Sequence, residues 1–341
     1  MVTLPFKILV NIILSSTVHD LVSSDPTPNC PNPDQIFPCT CSESTFPNLI
    51  MDCSDVTSEE ELAAVFSANF PKLNFHEFIM RNNTHVRVLR EGALGNTTYQ
   101  EFSITNGVLE EIEDHALSGS FSTAHKFDFS FNKISTFPFQ DLSQFPKLLQ
   151  LYLNTNNLTE FPQMVSPSLQ WLEMAENPLG YLPADAFTYL PSLILLTLSS
   201  DDLHEIIPGT LSNLSNLEYI TLSKNHFTHL SKDAVHLQNL RGMVNFSFNN
   251  ITNVAVDAFE GMTSGQIYLS HNQLTTLQEE VWRPLLELEI FITADNNPFT
   301  CGCDMAWVVL NTNFIYLFSY TTKCDDGRYF RELDPADYVL C

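Results

Sequence analysis

The sequence predicts an α/β solenoid, a right-handed horseshoe of short coils with one parallel concave β-sheet and disulfide caps at both ends. Three observations predict it. A pattern of apolar residues recurs about every 24 residues. An asparagine, replaced once by Gly and once by Asp, follows each copy at a fixed offset. The eight cysteines fall into two groups of four, one near each end.

The repeat comes first. The template L-x-x-L-x-L-x-x-N-x-L fits at Leu148-Leu151-Leu153-Asn156-Leu158, at Leu169-Leu172-Met174-Asn177-Leu179 and at Leu217-Ile220-Leu222-Asn225-Phe227. Looser copies precede and follow them. The third apolar site falls at Met80, Ile104, Phe129, Leu153, Met174, Leu198, Leu222, Phe246, Leu269 and Ala294, in steps of 24, 25, 24, 21, 24, 24, 24, 23 and 25. Eight residues beyond that site come Ile112, Phe137, Phe161, Leu182, Ile206, Leu230, Val254 and Leu277. Thirteen beyond it come Leu117, Leu142, Phe187, Leu211, Val235, Phe259 and Trp282. The copy beginning at Leu148 is three residues shorter and lacks this last column.

Each L-x-L segment is a short strand whose alternation sends its apolar residues to one face. Successive strands pair into a parallel sheet. The polar residue then sits at the turn, where its side chain bonds backbone groups that would otherwise be buried unpaired. One copy cannot bury its own core; a stack can. These are leucine-rich repeats, ten of them, over residues 73–299.

Composition narrows the class. The chain has 341 residues, 44% hydrophobic, and a formal net charge of −25. Such a surface repels nucleic acid and anionic lipid, so neither is expected as a partner. Residues 1–24 read as a signal peptide: Lys7, an apolar stretch from Ile8 to Leu14, then small residues at Ser15-Ser16 and Ser23-Ser24. Cleavage before Asp25 or near Ser16 fits. No other apolar run is long enough to span a bilayer, and no anchoring tail follows Cys341. The expectation is a secreted, extracellular protein.

The caps are expected at residues 25–72 and 300–341. Their cysteines are Cys30, Cys39, Cys41 and Cys53, then Cys301, Cys303, Cys324 and Cys341. Even numbers after a secretory start read as disulfides, and the C-x-C spacing argues against zinc. Ser58-x-x-Glu61 is a capping box. Leu62, Val65 and Phe66 follow on one face, which predicts a short helix covering the N-terminal edge.

No catalytic constellation is visible. The ten histidines are scattered, and the closest pair, His226-x-x-His229, straddles a turn. No zinc-protease, nucleophile-elbow or phosphate-loop pattern occurs. Asp325-Asp326-Gly327 reads as a polar turn, and Glu59-Glu60-Glu61 as a solvated helix face. The expectation is a binding protein with no cofactor, no metal and no enzymatic activity.

The two cysteine modules resemble the caps of extracellular leucine-rich-repeat proteins, as does Asn297-Pro298-Phe299-x-Cys301-x-Cys303-x-x-x-Trp307. That resemblance implies the pairs Cys30–Cys41, Cys39–Cys53, Cys301–Cys324 and Cys303–Cys341. The first module departs from the norm in its long first and last gaps. A narrower resemblance rests on Pro38-Cys39-Thr40-Cys41, Met51-Asp52-Cys53-Ser54, the run Leu62 to Pro71, Asn272-Gln273-Leu274-Thr275-Thr276-Leu277, Arg283-Pro284-Leu285-Leu286-Glu287 and Leu333-Asp334-Pro335. These resemble the family of non-catalytic leucine-rich-repeat subunits of secreted shrimp luciferases, with its arthropod relatives. The resemblance spans nearly the whole mature chain. It implies an accessory role: stabilising a separate, small secreted barrel subunit that oxidises coelenterazine. The alternative is a free-standing extracellular protein recognising a ligand, glycan or receptor.

Two sets of candidate site residues follow. The sequons are Asn82, Asn96, Asn157, Asn213, Asn245 and Asn250, each an expected N-glycosylation site. On the concave face, the residues before the second core site include Trp171, Leu195, Tyr219 and Met243 in consecutive copies. Tyr152 and Tyr268 flank them two residues later in their strands. Solvent-facing strand positions are normally polar, so this stripe is the expected partner-binding surface.

Overall fold

The computed structural model describes residues 29–43, 48–237 and 240–341. The signal peptide expected over 1–24 lies outside them. One sheet of twelve strands runs the length of the described chain. Ten of its strands are parallel neighbours, from Asn74–Arg81 and Thr98–Thr105, through the three-residue strands Lys126–Asp128, Gln150–Tyr152, Trp171–Glu173, Leu195–Thr197, Tyr219–Thr221, Met243–Asn245 and Gln266–Tyr268, to Phe291–Thr293. Every copy of the repeat contributes one.

The apolar columns explain why the stack holds. Leu151, Leu172, Leu196, Ile220, Val244 and Ile267 are buried in the middle of successive strands. The two later columns, Ile112 to Leu277 and Leu117 to Trp282, are buried on the return path. Towards the N-terminus the core is aromatic: Phe78, Tyr99, Phe102 and Phe127 meet successively at centroid distances of 5.4, 5.3 and 5.5 Å. Parallel pairs Val88–Leu89 with Glu111–Ile112, and His229–Leu230 with Asn253–Val254, form on the convex side.

The turn after each strand is built the same way ten times. The residue before the ladder position has positive φ in every copy: Asn82, Asn106, Phe131, Thr155, Glu176, Ser200, Lys224, Phe248, His271 and Asn296. None is glycine, and apart from Asn82, Asn106 and Asn296 the stack imposes this conformation on residues that seldom adopt it. Except at Gly107, the ladder side chain that follows bridges two coils. Asn225 Nδ2 donates to the Leu198 and Leu222 carbonyls, and its Oδ1 accepts from Asp201 and Leu203 N–H.

The N-terminal edge is covered differently from the sequence expectation. The helix Glu59–Val65 forms, with Ser58 Oγ accepting from Glu61 N–H. It lies beside the convex layer, where Glu59 Oε1 accepts from Arg87 and Val88 N–H; Glu59 is therefore part of a contact, not of a freely solvated face. The Glu61 carboxylate reaches Thr57 N–H, not that of Ser58, so the capping box is only half formed. The sheet edge is instead covered by the strands Thr40–Glu43 and Leu49–Asp52, the second parallel to Asn74–Arg81 and the first antiparallel to it in turn. A sheet edge needs backbone partners, which only another strand supplies.

Four disulfides join Cys30 to Cys41, Cys39 to Cys53, Cys301 to Cys324 and Cys303 to Cys341. In the C-terminal cap Trp307 Nε1 donates to Leu277 O at 2.9 Å, and the Tyr338 hydroxyl to Cys301 O at 2.8 Å. Asp326 is held by Arg328, whose backbone and side chain both donate to it, which makes the Asp325-Asp326-Gly327 run a closed polar turn.

Candidate functional site on the concave face

The register places the candidate residues. Trp171, Leu195, Tyr219 and Met243 are direct partners on four consecutive strands. With strands about 4.8 Å apart, they form one row roughly 15 Å long. The row continues as Gln150 on one side and as Gln266 and Phe291 on the other. Tyr219 is 44% exposed, and Trp171, Leu195 and Met243 are half-buried, each shading the next.

Tyr152 and Tyr268 belong to a second row, Tyr152–Glu173–Thr197–Thr221–Asn245–Tyr268. They flank the apolar row from opposite ends and do not touch one another across it. The Tyr268 hydroxyl donates to Gln266 Oε1. Tyr152 lies between Asp128 and Glu173 on the neighbouring strands. Burial first, and then those two carboxylates, push its phenol above the usual range. Lys126 Nζ stands 5.9 Å from the Tyr152 ring centroid. A hollow of about 370 Å³ opens here, lined among others by Lys126, Asp128, Phe131, Tyr152 and Glu173.

The concave face therefore has two characters. Its N-terminal part is charged: Glu101 draws His76, His125 and Lys126 to within 3.6, 3.8 and 3.9 Å. Its middle is aromatic and aliphatic. Sequence reasoning missed the rim. Phe131 and Phe248, 53% and 50% exposed, stand at the strand ends in the positive-φ position. Phe248 stacks on His271 with centroids 4.1 Å apart. Aromatic residues directly before a ladder asparagine were the available signal.

The sequons lie on several faces. Asn82, Asn96, Asn157, Asn213 and Asn250 are exposed. Asn245 is half-buried within the second row, and its Oδ1 accepts from Ser247 N–H at 2.9 Å. The pair His226 and His229 separates: His226 Nε2 lies 3.3 Å from Asp202, while His229 is in the convex strand.

Comparison with known proteins agrees with this geometry. Residues 167–227 match the family described as leucine rich repeat. The non-catalytic subunit of Oplophorus-luciferin 2-monooxygenase from Oplophorus gracilirostris is 32% identical over 99% of this chain and 97% of its own length. The chain belongs to that subunit's family. Like the Oplophorus subunit, it is a non-catalytic leucine-rich-repeat protein. Other relatives match over shorter stretches. Tsukushi of Gallus gallus is 26% identical over 57% of this chain and 51% of its own, and lumican of Rattus norvegicus 34% identical over 39% and 38%. A chain from the octameric complex of latrophilin 3, Unc5D and FLRT2 has the same fold, with a TM-score of 0.69 and 21% identity, covering 89% of this chain and 98% of that one. No helix among the described residues is long and apolar enough to cross a membrane.

Proposed function

We propose that this secreted chain is an accessory subunit that binds and stabilises a protein partner on its concave face. The observation that carries the reading is the row Trp171–Leu195–Tyr219–Met243, four contiguous apolar side chains on a surface that strand alternation would normally make polar. Trp and Tyr are also the types that dominate interface energetics. Charged groups at one end give such a contact a polar border and one orientation.

The partner proposed is the catalytic subunit of a secreted oxidising enzyme, because the Oplophorus relative is a subunit of a monooxygenase. The mature chain begins after a cleaved signal peptide, and the exposed sequons carry glycan. The test is affinity isolation of the native secreted protein followed by mass spectrometry. A stoichiometric catalytic subunit is the expected result. Isolation of the chain alone, or with a receptor ectodomain or matrix component, would overturn the accessory role in favour of free-standing recognition.

A further inference from the structure

On the convex side, the coils that follow strands Tyr219–Thr221 and Met243–Asn245 run in contact. Asp233 N–H donates to Asp257 O at 3.1 Å, Val235 N–H to Ala258 O at 2.9 Å and Leu237 N–H to Glu260 O at 3.1 Å. The approach is so close that a Cβ on Gly261 would lie 1.6 Å from the Leu237 carbonyl oxygen, and Gly261 has a φ of +89°. This registration brings together three side chains from two coils. The donor atoms of Asp233, His236 and Glu260 all lie within 4.8 Å of one another. His236 Nδ1 is 3.3 Å from Glu260 Oε2 and 3.8 Å from Asp233 Oδ1. The Asp233 side chain is partly exposed, but its Oδ1 is shut off from solvent and has no hydrogen-bond partner among the described residues.

We propose that Asp233, His236 and Glu260 form a zinc site that ties two adjacent coils of the solenoid together. Zinc binds imidazole nitrogen and carboxylate oxygen at roughly 2.0–2.2 Å, so two ligands of one tetrahedral ion lie about 3.3–3.5 Å apart. His236 Nδ1 and Glu260 Oε2 already stand at that spacing, and Asp233 Oδ1 closes on them from 3.8 Å to His236 and from within 4.8 Å of Glu260. One nitrogen with two oxygens suits zinc better than calcium or magnesium, which take oxygen ligands alone and more of them. The ion supplies the partner that Asp233 Oδ1 lacks. The neighbouring Lys232 is engaged elsewhere, its Nζ 3.4 Å from Asp257 on the adjacent coil. Glu260 is exposed, so the fourth position opens to water or to a group from outside the chain. The sequence reading assigned no metal because Asp233-x-x-His236 acquires its third ligand only through the stacking of coils.

The test is calorimetric titration of the secreted chain, first stripped of metal with chelator, with zinc chloride. We expect one saturable zinc per chain. Glu260→Gln and His236→Ala each weaken it at least tenfold, His226→Ala leaves it unchanged, and calcium at equal concentration does not compete. Zinc also raises the melting temperature of the unsubstituted chain but not of Glu260→Gln. Absence of saturable binding, undiminished binding in both site variants, or loss in His226→Ala would each overturn the site.

Discussion

Asp201 Oδ1 accepts the backbone N–H of Asn177 at 2.8 Å, while its second carboxylate oxygen, Oδ2, is buried without a hydrogen-bond partner among the described residues. The residue occupies the ladder position of its repeat and is fully shielded from solvent. Asparagines at the equivalent places donate through Nδ2 to the third-site carbonyl of their own copy and of the copy before, as Asn249 does to Phe246 and Leu222. At position 201 those carbonyls are Leu198 and Met174. An ionised carboxylate has no proton to offer them, and a protonated one has a single O–H where an asparagine has two N–H.

Burial pushes the Asp201 carboxyl from 3.8 up to about 8, with Asp202 and Glu176 acting in the same direction. The folded chain therefore holds a proton that the unfolded chain releases. Its contribution to stability is fully present below the unfolded value and is lost as pH rises towards 8. Asp201→Asn removes this dependence and supplies amide donors at every pH. At about 1.4 kcal/mol per pH unit, the stability gap between variant and parent should widen by on the order of 2–4 kcal/mol from pH 5 to pH 8. Urea unfolding of both proteins at the two pH values measures it. Parallel behaviour would mean that Asp201 is solvated or paired.

Phe131 combines two unfavourable features, a φ of 59° and an exposed ring. The left-handed conformation costs a residue with a Cβ about 1–2 kcal/mol, and asparagine tolerates it best after glycine. Asn82, Asn106 and Asn296 already serve at this position in other copies. Phe131→Asn should therefore raise the unfolding free energy by about 1 kcal/mol, and it should weaken partner binding because Phe131 lines the hollow beside Tyr152. A less stable variant would show that the ring makes packing contacts that outweigh its backbone strain.

The cysteine pairing gives a chemical test. No cysteine is free, and Cys303–Cys341 spans 38 residues. Closing a loop of that length stabilises a fold by about 4 kcal/mol in the chain-entropy account. The double substitution Cys303→Ser with Cys341→Ser should lower the melting temperature and loosen the cap first, exposing Trp307 fluorescence to quenching. Titration of the denatured, unreduced parent should detect no more than trace thiol. A stoichiometric free sulfhydryl would contradict the pairing.

What the sequence made legible follows from what the stack demands. The core columns and ladder residues must be apolar or amide in nearly every copy, so Leu196, Ile220 and Asn225 announce themselves by period. The positive-φ position before the ladder was not legible, since side chains as different as Thr155, Glu176 and Phe248 occupy it. Their backbone is fixed by neighbouring coils, not by their own preference. The edge was misplaced for a related reason. Leu62, Val65 and Phe66 show that the helix buries a face, but not which face of the solenoid receives it. Asp233, His236 and Glu260 meet only once coil registration is known.

The concave row was legible because strand alternation fixes which residues share a face, and its energetic role is open to direct measurement. Trp171 and Tyr219 are separated by one strand, with Leu195 between them. Both are large, and neither lies in the buried core. Truncating them removes interface area without opening a cavity, since a cavity forms only where surrounding atoms enclose the lost volume. Trp171→Ala with Tyr219→Ala should weaken partner binding by about 2 kcal/mol or more. Secretion and melting temperature should stay near those of the parent. Asn245 in the adjacent row supplies the control: if its sequon is occupied, Asn245→Gln should strengthen binding by unmasking Met243 and Tyr219. Surface plasmon resonance against the isolated partner, with melting curves on the same samples, separates lost affinity from lost fold. Unchanged affinity in the Trp171/Tyr219 variant would move the interface to the convex side or to the caps.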